Sequence, residues 1–422
     1  MNNRVVKQPA NMMERFFVSC FHRVRHGEAA DWMVVAIAVS LPWSTSLTAI
    51  LIVLWFIAVV PSIDIVSIRR QILNPAGGLP LLLWVLAVVG MLWADIDWSE
   101  RFGGLRGYHK LLLIPLLLAQ FRRSERARWA ILGFLISALA LLVLSWLTSH
   151  PGFLGNPKAD VGVPVKDYIV QSGIFAICAL GLLGQAMEWR VRRPQLALAA
   201  VVVAAFFIAN IIYVATSRST LVIIVVLLLI LGFRQFGWKG ILAVIIIGAG
   251  FATLFWVSSP QLRDRVTHVV EEMKDYPTST AITSTGLRLE FWKKSIEFFI
   301  AAPVVGHGTG TIATQFRRSA SGHTGVAAAV TGNPHNQILA VAIQLGFIGT
   351  LTLIAMWIAH LALFREGTLV GWYGLTVVVS NIVGSLFNSH LFDFSQGWFY
   401  VFGVGVLGGV MLKRKHAENK IV

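Results

Sequence analysis

The segment Ile338–Leu363, ILAVAIQLGFIGTLTLIAMWIAHLAL, decides the fold, because it is apolar over its whole length and contains no Asp, Glu, Lys or Arg. A helix needs about 20 apolar residues to cross the hydrocarbon core of a bilayer. The apolar runs of this chain are continuous, whereas a membrane β-barrel would show alternation. We identify about twelve such segments, approximately at 29–44, 46–62, 79–94, 107–120, 128–148, 167–187, 195–215, 219–234, 239–257, 337–363, 369–387 and 396–412.

The composition supports the same class. The chain has 422 residues, of which 56% are hydrophobic and 13% charged, and its mean hydropathy is +0.72. Soluble domains carry roughly a quarter charged residues. The formal charge of +15 indicates cytoplasmic loops and anionic lipid head groups rather than nucleic acid. We therefore predict an all-α integral membrane protein of about twelve transmembrane helices with a large helical periplasmic loop.

The chain divides into three regions. Residues 1–257 hold transmembrane helices 1–9, residues 258–336 form the polar loop, and residues 337–422 hold helices 10–12 and a short tail. Most of the Lys and Arg residues share one side of the membrane when the N-terminus is placed in the cytoplasm. This predicts that both termini are cytoplasmic and that the loop faces outward. Within the loop, one helix is expected from Ser259-Pro260 to Met273, and a second from Thr285-Gly286 to Pro303.

Three ionisable residues are predicted at the beginnings of helices on the outer side. Arg218 follows Thr216-Ser217, Arg288 is expected in the first turn of the second loop helix, and His335 in the first turn of the tenth span. For His335, Asn333 is the expected N-cap and Pro334 the first helical residue. Helix N-termini bind anions, so arginines there suit a phosphate or diphosphate. A histidine there should have a lowered pKa and could act as a general base.

Each of these residues also has an ordinary interpretation. Arg218 could reach toward the membrane interface, Arg288 could be a solvated charge, and His335 could be a capped interfacial histidine. Glu290 is a rival base close to Arg288. Asp393, also predicted at the outer face, could orient His335 or a sugar.

Two further patterns bear on ligand binding. The stretch Gly306-His-Gly-Thr-Gly310 lacks the strand and the lysine of a P-loop, and it is interpreted as a turn. The remaining histidines are scattered without metal-ligand spacing. We therefore predict no metal and no other cofactor.

Taken together, the residues from about 210 to 350 resemble the bacterial O-antigen ligase/polymerase superfamily. The resemblance is carried by Thr216-Ser-Arg218 before an apolar helix, Arg288 and Trp292, the turn from Pro303 to Gly310, and His335-Asn336 before Leu345-Gly-Phe-Ile-Gly349. The chain looks most like an O-antigen ligase. O-antigen polymerases often have an Arg followed eleven positions later by Gly in an outer loop, a pattern missing here, and protein-glycosylating relatives usually carry a larger soluble C-terminal region.

The resemblance implies an inverting transfer of O-antigen from undecaprenyl diphosphate to the lipid A–core acceptor. It implies a site at the periplasmic face of a Gram-negative inner membrane. We expect no need for ATP, because the phosphate ester of such a donor supplies the driving force, and we expect no metal and no nucleic-acid partner. Arg218, Arg288 and His335 are then the catalytic residues. Asn336 and Asp393 are further substrate-binding candidates beside the two arginines.

Other functions stay open at this point. An O-antigen polymerase or a protein O-oligosaccharyltransferase would belong to the same superfamily. A transporter or flippase of lipid-linked sugar is a different class, which should carry charges or broken helices near the membrane midplane. The predicted spans are nearly free of charge at their centres, which favours an enzyme. A purely structural assembly protein would leave the three residues at helix beginnings unexplained.

Overall fold

The computed structural model describes residues 27–149, 161–260, 263–264, 266–267 and 283–418. The secondary structure of these residues is helical. The α-helices are α1 (27–40), α2 (Thr45–Val59), α3 (Ile65–Ile72), α4 (Pro75–Gly90), α5 (Trp98–Leu105), α6 (Leu113–Phe121), α7 (Ala127–Thr148), α8 (Tyr168–Trp189), α9 (Pro194–Tyr213), α10 (Arg218–Phe236), α11 (Trp238–Ser258), α12 (Ser284–Ala301), α13 (Ile312–Ala320), α14 (Gln337–Leu363), α15 (Leu369–Gly384) and α16 (Phe394–Glu418). Short 3-10 helices lie at Val60–Ser62, His109–Leu112 and Gly325–Ala328.

Each apolar segment predicted from the sequence coincides with a helix. In the described part of the chain, eight helices are long and apolar enough to cross a membrane. The number rises to nine if α3 and α4, which meet at 83°, form one bent span. The helices α6 and α15 are shorter. The multi-pass membrane fold is thus confirmed, while the count of twelve spans stays a prediction.

The bundle contains two large apolar cores. One lies between α1, α2, α4, α6, α14 and α16, around the fully buried Trp55 and Tyr400. The other lies between α7, α8, α9, α10 and α15, around Phe175 and Phe207, whose ring centroids are 5.1 Å apart. Side chains of α15 belong to both cores, so this helix joins the two halves of the bundle.

The connections between helices gather at two ends. We call one the basic end, defined by the connections 122–126 and 364–368 and by the last turns of α16. Salt bridges join its elements, as between Arg126 and Glu28 at 3.0 Å and between Lys415 and Glu366 at 3.1 Å. We call the other the site end, defined by the connections 214–217 and 385–393 with α12 and α13. The connections predicted to be cytoplasmic and outer are therefore separated in space, although their compartments stay a prediction.

The long helix α14 is broken at Gly346, which has φ 60° and ψ −153°. The turn that follows α12 fills this break. The His307 N–H donates to the Ile343 carbonyl at 2.8 Å, and the Phe347 N–H donates to the Pro303 carbonyl at 2.7 Å. Backbone groups freed by the break are thereby satisfied, as an apolar surrounding requires. The turn predicted around 306–310 is confirmed, and it fixes α12 against α14.

Candidate active site

Arg218 is the first residue of α10, as predicted. Ser217 precedes it in extended conformation (φ −121°, ψ 126°), and its hydroxyl lies 3.1 Å from that of Ser219. The Arg218 guanidinium donates to Thr285 Oγ1 at 3.5 Å. Thr285 lies three residues before Arg288 on α12, and residues at this spacing share a helix face. The contact between α10 and α12 therefore brings the two arginines to the same region.

Arg288 lies in the second turn of α12 and not in the first, so the predicted helix beginning was wrong by about two residues. Thr283 is the N-cap, because its side chain accepts the N–H of Gly286 at 3.0 Å. Arg288 is half-buried. Among the described residues, no carboxylate forms a salt bridge with its guanidinium. The other loop helix, predicted from Ser259-Pro260 to Met273, lies mostly outside the described residues.

His335 precedes α14, so the prediction that it lies in the first helical turn was wrong. Asn336 is the N-cap, and its side chain accepts the N–H groups of Ile338 at 2.9 Å and Leu339 at 3.1 Å. Asn333 is not the cap, because the chain from Pro334 to Asn336 is not helical; its Oδ1 accepts the His335 N–H at 2.9 Å in a turn instead. Both asparagines have the short polar side chain that suits a cap or a turn, and their local hydrogen bonds decide which of them caps the helix.

The backbone of His335 is held in the left-handed region, with φ 54°. It is the one non-glycine residue with a positive φ in the described ranges. Such a conformation costs on the order of 1–3 kcal/mol and persists where the surrounding structure enforces it, often at functional sites. Here the bond from its N–H to Asn333 enforces it, and Asn333 is anchored in turn by the Ser389 hydroxyl at 2.7 Å.

The His335 imidazole is oriented by a hydrogen-bond chain that ends at Asp393. Asn388 donates from Nδ2 to Asp393 Oδ2 at 2.7 Å, so its Oδ1 points toward the imidazole. The distance from His335 Nδ1 to Asn388 Oδ1 is 3.1 Å. An amide oxygen only accepts, so Nδ1 carries the proton and Nε2 presents its lone pair. We call this chain of His335, Asn388 and Asp393 the relay. Asn388 was missed by the sequence analysis.

The surroundings of the imidazole disfavour its protonated form. Burial lowers the pKa of His335, the charge of Arg288 lowers it further, and the hydrogen bond to Asn388 partly offsets both effects. The direction agrees with the expectation from sequence, but the cause is burial and a neighbouring arginine rather than a helix N-terminus. The ring also stacks on Phe291, with centroids 6.3 Å apart and planes at 19°. A neutral imidazole near pH 7 suits a general base.

Asp393 lies directly before the first residue of α16. Burial raises its pKa to about 6, against the lowering effect of the Lys110 charge. The Lys110 ammonium donates to the backbone carbonyls of Asp393 at 2.7 Å and Phe392 at 3.2 Å. These two hydrogen bonds hold the loop before α16 in place. Asp393 is thus connected to His335 through Asn388, which supports the orienting role considered from the sequence.

The remaining candidates are engaged in other contacts. The Asn336 side chain caps α14 and also donates to the Leu386 carbonyl at 3.3 Å, so its role in substrate binding stays a prediction. Glu290, the rival base, lies 3.9 Å from Lys294 on the same helix. Lys294 is buried and also donates to the Ala327 carbonyl. His335 is therefore the better placed base.

A cavity of about 940 Å³ adjoins the loops that carry His335 and Asp393. Gly332 and Phe392 line it on the side of these loops. Its other walls differ in character: α2 contributes apolar side chains, and the region before α6 contributes basic ones. They are Ile52, Val53 and Phe56 on the apolar wall, and Arg106, His109 and Lys110 on the basic wall. Glu100 also lines the cavity and forms a salt bridge with Arg317. A cavity with one apolar and one cationic wall suits an anionic amphiphile.

The described part of the site holds no cluster of metal ligands. No group of three or more His, Cys, Asp or Glu side chains suited to a metal ion occurs within the described ranges. Independence from metal stays a prediction.

The fold and the site together define a multi-pass membrane protein with two arginines and a histidine gathered at one end of its bundle. Residues 203–354, about a third of the chain, match the family model described as O-antigen ligase. This match supports the resemblance of the chain to the O-antigen ligase/polymerase superfamily. Arg218, Arg288 and His335 lie inside the matched segment, whereas Asn388 and Asp393 lie beyond it. A search of curated proteins found no match.

Proposed function

We propose that the protein is an O-antigen ligase. It transfers O-antigen polysaccharide from undecaprenyl diphosphate to lipid A–core at the periplasmic face of the inner membrane, without metal or ATP. The observation that carries this proposal is the convergence of Arg218, Arg288 and an oriented His335 with a lowered pKa within the segment that matches the family model. The family match alone supports a glycosyltransferase-like enzyme, and the site supports the reaction type.

The arginines bind the diphosphate of the donor. Arg288 has no carboxylate partner among the described residues, and Arg218 reaches the same helix through Thr285. A guanidinium offers a planar pair of N–H donors that matches phosphate oxygens. Charge grows on the diphosphate as the anomeric C–O bond breaks, and two fixed guanidinium groups stabilise that charge. A bound metal ion is then not required for this step.

His335 acts as the general base. Nε2 takes the proton of the acceptor hydroxyl as its oxygen attacks the anomeric carbon of the donor sugar. The bond from that carbon to the diphosphate oxygen breaks, and undecaprenyl diphosphate leaves. Attack from the face opposite the leaving group inverts the anomeric configuration. The phosphate ester of the donor supplies the driving force, so no nucleotide is consumed.

The cavity beside the site loops admits the lipid part of one substrate. Its apolar wall on α2 suits acyl or prenyl chains, and its basic wall suits phosphate groups. Gly332 and Phe392 line this cavity, and they lie three residues before His335 and one residue before Asp393 in the chain. We therefore expect a sugar attached to such a lipid to lie beside these loops. Both substrates of the proposed reaction are anionic amphiphiles.

The acceptor distinguishes the proposal from its alternatives. A polymerase would use a second lipid-linked O-antigen as acceptor, and a protein O-oligosaccharyltransferase would use a hydroxyl side chain of a polypeptide. Purified protein should be incubated with undecaprenyl-diphosphate-linked glycan and each acceptor in turn, without ATP. We expect elongation of lipid A–core alone. If lipid A–core stayed unchanged, a longer lipid-linked glycan would indicate a polymerase, and a glycosylated polypeptide would indicate a protein O-oligosaccharyltransferase. No product with any acceptor, but movement of donor across a vesicle membrane, would indicate a flippase.

A further inference from the structure

Three arginines at the basic end have no carboxylate partner among the described residues. Arg69 and Arg70 lie in the last turn of α3, and Arg122 follows the last residue of α6. The carboxylates of the neighbouring elements are engaged by other cations. These pairs are Asp64 with Arg123, Glu28 and Asp31 with Arg126, Glu125 with Lys413, and Glu366 with Lys415. Among the described residues, the positive charge of these three arginines is therefore not offset by a salt bridge.

Arg69 and Arg70 line one cavity, and Arg122 is close enough to Arg70 for their charges to interact; we call these three arginines the cluster. Burial lowers the pKa of Arg122, and the charges of Arg70 and Arg123 lower it further. Like charges at close range repel one another unless an anion lies between them. Arginine clusters in proteins commonly meet this requirement by binding phosphate, since each guanidinium can donate two parallel hydrogen bonds.

An apolar crevice lies directly beside the cluster. The helices α3 and α4 meet at 83°, and a cavity of about 470 Å³ lies in the bend. Arg69 and Arg70 line it together with Val66 and Leu73, whose side chains are 69% and 73% exposed. Exposed apolar side chains next to arginines, on a short amphipathic helix at the end of membrane spans, are typical of an element lying in the lipid head-group region. A free phosphate ion would leave these apolar side chains in water.

We propose that this crevice binds an anionic phospholipid of the leaflet at the basic end, with its phosphate on Arg69 and Arg70 and its acyl chains against Val66 and Leu73. The lipid offsets the repulsion within the cluster and covers the exposed apolar side chains of α3. This site is independent of the glycan transfer proposed above, because it lies at the opposite end of the bundle.

The experiment measures lipid binding to the purified protein in uncharged detergent, by native mass spectrometry and by thermal unfolding. The lipids are phosphatidylglycerol and phosphatidylcholine, and glycerol phosphate is the soluble comparison. The variant is Arg69→Gln/Arg70→Gln. The matched control is Arg192→Gln/Arg193→Gln, which removes the same charge from an exposed connection at the same end.

We expect phosphatidylglycerol to bind and to raise the unfolding temperature of the wild type, and phosphatidylcholine and glycerol phosphate to do so far more weakly. A basic residue near a membrane surface typically strengthens binding of anionic lipid about fivefold, so the test variant should bind about 25-fold more weakly. The control should change by about twofold at most, because distant exposed charges are screened.

Three results would overturn the proposal. If the wild type bound phosphatidylcholine as well as phosphatidylglycerol, the crevice would be an apolar groove that does not recognise the head group. This comparison uses only the wild type, so it does not depend on the folding of a variant. Equal binding of glycerol phosphate would mean a site for soluble anions. The same loss in the test and control variants would mean attraction to the net charge of the protein alone.

Discussion

Asn388→Ala should impair transfer by releasing the His335 imidazole. The substitution removes the acceptor of the His335 Nδ1 proton, which lies at 3.1 Å, and breaks the relay to Asp393. The imidazole can then rotate and exchange tautomers, so Nε2 no longer presents its lone pair toward the acceptor in most molecules. Asn388 acts only through His335 and does not itself touch the reacting atoms.

The size of the effect follows from the hydrogen bond that the substitution removes and from the freedom that the imidazole gains. One hydrogen bond contributes about 1 kcal/mol, and fixing one side chain costs on the order of 1 kcal/mol in conformational entropy. A decrease of about 2 kcal/mol in positioning free energy lowers the rate roughly 30-fold. Stability should also fall by roughly 1–3 kcal/mol, because Asn333 Nδ2 is left without its partner at 2.8 Å.

The assay is single-turnover transfer by Asn388→Ala, by His335→Ala and by the double variant, in preparations shown to be folded. Ser385→Ala is the matched control, because it removes a polar side chain from the same connection, and the Ser385 hydroxyl has no hydrogen-bond partner among the described residues. Asn388→Ala should be slow in the wild-type background and neutral in the His335→Ala background. Rates within about threefold of wild type, or an equal loss in both backgrounds, would refute the positioning role.

Three other predictions concern charge, metal and topology. Arg288→Gln removes a charge that lowers the pKa of His335, whereas Arg288→Lys keeps it. The fall in rate on acidification should therefore begin at higher pH in Arg288→Gln than in Arg288→Lys. Identical pH profiles would mean that the charge of Arg288 does not act on the catalytic base. Both Arg288 variants should be slower than wild type at every pH, because neither offers the planar fork for diphosphate. Transfer activity should survive EDTA. Activity that EDTA abolishes and Mg²⁺ restores would mean that a metal ion, and not the two arginines alone, stabilises the charge of the diphosphate. A cysteine introduced at the exposed Thr324 should react with an impermeant reagent from the periplasm and one at Arg192 only from the cytoplasm, and the reverse pattern would invert the proposed orientation.

The sequence predicted the helices well because long apolar runs leave few alternatives in a bilayer. Arg218 was placed correctly at the first residue of α10, since Thr216-Ser217 and an abrupt apolar run define that beginning locally. The break in α14 at Gly346 was not predicted. It depends on the turn after α12 supplying donors and acceptors to the freed backbone, which is a tertiary contact that local periodicity does not encode.

The start of α14 shows where the sequence was ambiguous. Asn333 and Asn336 are both good N-caps, and Pro334 fits a first helical turn equally well. The choice depends on Ser389, whose hydroxyl binds Asn333 from a loop 56 positions further along the chain. Because of that choice, His335 lies outside the helix and in a left-handed conformation.

Asn388 was missed for the same reason. In the sequence it is one polar residue in a short connection between apolar segments, five positions before Asp393. Only the packing of this connection on the segment around His335 shows that its amide joins the two. One signal in the sequence could have indicated Asn388: it shares a short connection with Asp393, on the side of the membrane where His335 was predicted.

The most direct test of the central claim compares wild type, His335→Ala and His335→Gln in single-turnover transfer to lipid A–core, with binding of the lipid-linked donor measured in parallel. Both variants should bind donor like wild type, because the arginines remain, and both should transfer about 10²- to 10⁴-fold more slowly, the usual contribution of a general base. Glutamine can form hydrogen bonds but cannot accept the proton. Transfer by His335→Gln at a rate near that of wild type would contradict a catalytic His335, because the proton would then have to be taken by another group, with Glu290 the first to examine.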